Sequence, residues 1–121
     1  MTVHVLQLRD LKMGFARVTE AYRETGGAID VAGERGYTLA QIVPEEGFQG
    51  DARALLRITG EQFRTHRYRV AYAAYWGLRW LVEQRGGNFV ILPPADCRSR
   101  ISPTALGVRW TLRSRTGRES T

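Results

Sequence analysis

A chain of 121 residues, 43% hydrophobic and 25% charged, is long enough to bury one core and too apolar to be wholly disordered. Its net charge of +6 is unevenly held: residues 1–50 carry five basic and seven acidic side chains, residues 51–121 thirteen and five. One cysteine, Cys97, excludes an internal disulfide framework and points to a reducing compartment, and no apolar run approaches the length of a membrane span.

Residues 1–10 hold a short apolar stretch without a basic segment before it or a cleavage-like site after it, and are not expected to act as a signal peptide. From there Leu8, Leu11, Phe15, Val18 and Tyr22 recur at spacings of three and four, which predicts an amphipathic helix over residues 8–24, stopped by Thr25-Gly26-Gly27. Ala28–Ala32 and Tyr37–Val43 are β-rich runs around Gly33-Glu34-Arg35-Gly36 and predict a hairpin. A helix-turn-helix beginning at Thr38 competes for the same residues, but Pro44 would fall inside its first helix and Glu46 at an apolar position. Residues 52–59 are ambiguous and lean to strand.

Glu61–Arg85 is predicted as a second helix. Thr59 and Gln62 fit a capping box, Gly86-Gly87 a stop, and Phe63, Val70, Ala73, Ala74, Gly77, Trp80 and Leu81 a core stripe. A strand over Arg67–Tyr75 is the competitor, disfavoured by its alanines. Asn88–Leu92 then reads as a strand ended by Pro93-Pro94, residues 95–105 as a loop, and Val108–Arg115 as a last strand before a frayed tail at 116–121. The sum is one α+β domain: a mostly antiparallel sheet packed by two helices, without an internal sequence repeat.

Two constellations carry what chemistry the chain suggests. Alternation along the last strand puts Arg109, Arg113 and Arg115 on the face away from Val108, Trp110 and Leu112; same-face neighbours about 6–7 Å apart match the spacing of phosphates along a strand. On the central helix Arg64, Tyr68, Tyr72, Tyr75 and Arg79 cluster off the core stripe, with Arg67 and Arg85 nearer its edge. Arginine interleaved with tyrosine supplies charge neutralisation and stacking for nucleic acid, and equally the hot spots of a protein interface. His4, His66 and Cys97 show no metal or nucleophile spacing, and both glycine pairs follow helices rather than open them.

The expectation is a non-enzymatic nucleic-acid-binding module that contacts the backbone largely without regard to sequence. It uses no cofactor or metal and places Arg64, Arg67, Tyr68, Tyr75, Arg79, Arg109, Arg113 and Arg115 in the interface. The alternative is a structural or adaptor subunit of a multi-copy assembly, a virion or similar particle, in which the acidic half of one copy meets the basic half of the next. Nucleic acid or an acidic protein surface is thus the expected partner, a homo-oligomer or larger complex the expected state, and the cytoplasm or a particle assembled there the expected location.

Overall fold

A computed structural model describes residues 5–13, 15–95, 112–113 and 119–120. Strand β1 (Val5–Gln7) leads into a six-residue 3-10 helix, Leu8–Met13, and then α1 (Ala16–Thr25). The single helix expected over 8–24 is therefore two pieces. Leu8 and Leu11, both 1% exposed, are three residues apart, and three is the 3-10 period. Phe15 then leaves helical geometry (φ −106°, ψ 14°) and buries its ring between Phe63 and Phe89, at centroid distances of 5.0 and 4.5 Å. The predicted stop holds: Gly26 adopts φ 71° and its N–H donates to the Tyr22 carbonyl.

The hairpin is present as β2 (Ile29–Ala32) and β3 (Thr38–Pro44), with a register shift at Val31/Ala32, and it rules out the helix-turn-helix. The ambiguous stretch divides: Ala52–Ala54 is a 3-10 turn capped by the Asp51 carboxylate, which accepts from the Arg53 N–H, and Leu56–Thr59 is strand β4.

Helix α2 spans Gly60–Tyr75. Its capping box is present in both directions. Gln62 N–H donates to Thr59 Oγ1 at 3.0 Å, and Thr59 N–H donates to Gln62 Oε1 at 2.9 Å. The backbone kinks at His66 (φ −117°, ψ 25°) without ending the helix, and Arg67–Tyr75 is helical. The expectation that the helix runs to Arg85 is corrected. Gly77, at φ 113°, turns the chain, and Trp80–Glu83 becomes strand β5. Its sequence alternates accordingly: Trp80 and Val82 enter one buried cluster, Leu81 another. Gly86 (φ 91°) and Gly87 (φ 136°) shape the turn from β5 to β6 (Phe89–Leu92) instead of closing a helix.

The six strands form one sheet in the order β1-β2-β3-β6-β5-β4. Three joints are antiparallel, while β1 pairs β2 and β4 pairs β5 in parallel, so the sheet is mixed. Each half of the chain runs strand, helix, strand, strand, and the strand order reads alike from either edge. A repeat with no sequence counterpart is thus present in the topology, related by a pseudo-twofold between β3 and β6. Both helices lie on one face, over Ile29, Ile42, Val82, Phe89 and Ile91. On the other face Val43, Leu55, Leu81 and Val90 are buried, with Phe48 and Ala52 of the β3–β4 connection packed on them.

Outside this sheet, β7 (Leu112–Arg113) pairs antiparallel with β8 (Glu119–Ser120). The expected strand at 108–115 and tail at 116–121 otherwise lie outside the described residues, as does the loop at 96–105. Among the described residues no helix is long and apolar enough to cross a membrane.

Candidate functional site

The exposed face of α2 and the tip of the β2–β3 hairpin meet to form the most distinctive surface of the molecule. Four large hydrophobic side chains are exposed among the described residues, and three of them stand here: Tyr37 at 48%, Tyr72 at 46% and Trp76 at 56%. Helical spacing explains the helix side of this face. Positions 64, 68 and 72 follow one another at steps of four, with 75 and the cap residue 76 three and four beyond 72, so they share a stripe, while Phe63, Val70, Ala73 and Ala74 turn inward.

Tyr68 and Tyr75 are half-buried and rest on the core, serving as the base of the patch. Tyr75 is approached by Tyr37 at 6.3 Å with ring planes at 60°, and edge-on by Trp76 at 5.5 Å and 90°. These are ordinary separations for favourable ring pairs. Tyr37, Tyr68 and Tyr72 line a shallow depression of about 350 Å³ with Glu34 and Arg35 of the hairpin tip. A neighbouring depression of about 400 Å³ joins Tyr68 to Arg9 and Gln7.

The arginines divide by role. Arg67 folds back on its own helix: its guanidinium lies 5.3 Å from the Tyr68 ring centroid and its Nη1 donates to the Arg64 carbonyl at 2.8 Å. Its Nε is buried without a hydrogen-bond partner among the described residues, so it braces Tyr68 more than it reaches outward. Arg64 is exposed one turn before Tyr68, and Arg35 is exposed beside Tyr37. Arg79 is elsewhere. It follows the Gly77 turn and lines a different cleft, with Val43, Leu92 and Tyr22. The structure therefore brings Arg64, Arg67, Tyr68 and Tyr75 together and separates Arg79 from them. Arg109 and Arg115 lie outside the described residues, and Arg113 is described only as part of β7.

Tyr37 and Trp76 join the patch without having been singled out in the sequence. Tyr37 stands immediately before β3, at the hairpin tip, where a solvent-facing aromatic is unremarkable. Trp76 precedes Gly77, and placing the helix stop at that glycine would have marked it as an end-of-helix aromatic. Residues 5–95 carry twelve bases and ten acids, whereas residues 96–121 carry six arginines and two acids. Most of the excess charge thus belongs to the C-terminal segment. Among the described residues no group of three or more His, Cys, Asp or Glu side chains is placed to hold a metal ion. Compared with family models, curated proteins and solved structures, the chain matches none.

Proposed function

We propose that this protein is a nucleic-acid-binding module that takes single strands across the α2–hairpin face. Bases stack on Tyr72, Trp76 and Tyr37, and phosphates meet Arg64 and Arg35. The reading rests on one observation: the exposed aromatics among the described residues, Tyr37, Tyr72 and Trp76, are gathered on one surface beside the exposed Arg64 and Arg35. Scattered single hydrophobic side chains need no explanation, but a contiguous aromatic patch does. Stacking tolerates any base, and charge neutralisation tolerates any sequence, so the interface would select strandedness above sequence.

The test is fluorescence anisotropy with labelled single- and double-stranded oligonucleotides over a salt series. Single strands are expected to bind more tightly, with log K falling linearly in log salt by about 0.7 per phosphate contacted. Tyr72→Ala and Trp76→Ala should each weaken binding by about 5- to 100-fold, the worth of one stacked base. Absence of binding at low salt, or affinity unchanged in both variants, refutes the proposal. The same composition suits a protein interface. Refutation accompanied by self-association of the free protein in sedimentation would favour the assembly-subunit reading, with this face as the contact.

A further inference from the structure

The cleft that Arg79 lines is separate from the aromatic face. It lies between the C-terminal end of α1, the loop that follows β3 and the turn before β5, with a volume of about 550 Å³, within the range of ordinary ligand sites. Val43 and Leu92 furnish apolar surface, and Tyr22 and Phe48 line it with aromatic rings. The loop closing one side is packed into place by two glycines. A Cβ on Gly47 would come within 2.6 Å of Tyr22 Oη, and one on Gly50 within 2.5 Å of the Phe48 ring. Three polar side chains, Arg79, Glu46 and Gln49, also line the cleft. All three are exposed, and among the described residues none has a hydrogen-bond or ion-pair partner.

We infer that this cleft binds a nucleoside monophosphate. A flat heterocycle suits the Tyr22 and Phe48 rings and the aliphatic surface. A guanidinium without an internal partner suits a phosphate, which it engages bidentately. A carboxylate repels phosphate but accepts hydrogen bonds from sugar hydroxyls, so Glu46 fits the ribose end of the same ligand. Gln49 donates and accepts, as the edge of a base requires. An acidic peptide would use Arg79 and leave Glu46 opposed to like charge; an uncharged aromatic ligand would leave Arg79 unused. The assignment is independent of the α2 face, and the two are tested by different variants.

The experiment is isothermal titration calorimetry of the full chain with AMP, GMP, CMP and UMP, with adenosine and inorganic phosphate as part-ligand controls. At least one monophosphate is expected to bind with Kd below about 1 mM, and each part-ligand more weakly. Arg79→Ala should weaken that binding at least about 10-fold, with partial retention in Arg79→Lys. The fold contact at this position uses backbone only, Leu56 N–H donating to the Arg79 carbonyl at 2.9 Å, so both variants should keep the wild-type far-UV circular dichroism. Glu46→Gln should abolish preference for the ribonucleotide over its 2′-deoxy form. Tyr72→Ala/Trp76→Ala should leave monophosphate binding unchanged while losing oligonucleotides. Tighter binding of a 5′-phosphorylated dinucleotide than of the monophosphate would assign the cleft to a strand end; equal or weaker binding would assign it to the free nucleotide. Failure of every monophosphate to bind at about 1 mM, or binding indifferent to Arg79→Ala, overturns the inference.

Discussion

Replacing Phe15 with alanine should be the most damaging single truncation on the helix-bearing face. The ring is 3% exposed and lies between two others, stacked on Phe89 at 4.5 Å and 15° and tilted against Phe63 at 5.0 Å and 32°. Its neighbours belong to the second half of the chain, whereas Phe15 belongs to the first, so the cavity would open at the joint between them. Burying a phenylalanine and then deleting it costs about 3–5 kcal/mol, and flanking rings that cannot close the void place this site near 4 kcal/mol. Counting only the roughly 90 described residues at about 2.1 cal/mol/K each, that corresponds to a fall in Tm of about 20 °C. In urea the midpoint should drop by about 2–3 M without a change in slope. Phe15→Leu, which keeps most of the volume, should cost only about 1 kcal/mol. The comparison variant is Phe48→Ala, whose ring is half-buried on the opposite face. A Phe15→Ala loss no greater than that of Phe48→Ala would refute the claim that Phe15 fastens the two halves.

Thr59→Ala removes an exposed cap and should cost about 0.5–2 kcal/mol by urea denaturation; a negligible change would mean that the reciprocal Thr59–Gln62 bonds do not form in solution. The Trp80 indole Nε1 is buried without a hydrogen-bond partner among the described residues. Trp80→Phe therefore removes an unsatisfied donor along with some volume and should lose less than about 1 kcal/mol; a loss of 3 kcal/mol or more (about the full truncation penalty) would show that the donor is satisfied. Gly47→Ala should destabilise by about 1–3 kcal/mol through its clash with Tyr22, and Tyr22→Phe in the same chain should recover part of that loss, measured as a coupling energy in thermal melts.

Local signals were legible where the chain itself decides the conformation. The Thr59–Gln62 box, the Gly26 stop and the hairpin about residues 33–36 depend on neighbours within a few positions, and each stands where the spacing put it. The errors came where distant packing overrode a local period. Phe15 left the helix to fill the space between Phe63 and Phe89. At residues 80–83 an apolar stretch compatible with a helical stripe satisfied a strand alternation equally well, and pairing with β4 and β6 decided the matter. Misplacing that boundary also misplaced Arg79, which helical spacing put beside Tyr75 and the Gly77 turn carried to another face.

The pairing of β3 with β6 has a further consequence. Each half of the chain contributes three strands and one α-helix, and the halves meet within the sheet at one antiparallel ladder, Gln41–Pro44 against Phe89–Leu92, and above it at the phenylalanine cluster and where α2 packs over β3 and the Leu8–Met13 3-10 helix. In effect the molecule is a dimer whose subunits happen to share a backbone, and the β3–β4 connection is its tether. That tether sets an effective concentration, which for a short linker is in the millimolar range. Without it, association of the same surfaces would become dependent on protein concentration. Stability in this fold is therefore partly a matter of covalent proximity, and a cut within residues 49–51 would convert a unimolecular folding equilibrium into a bimolecular one.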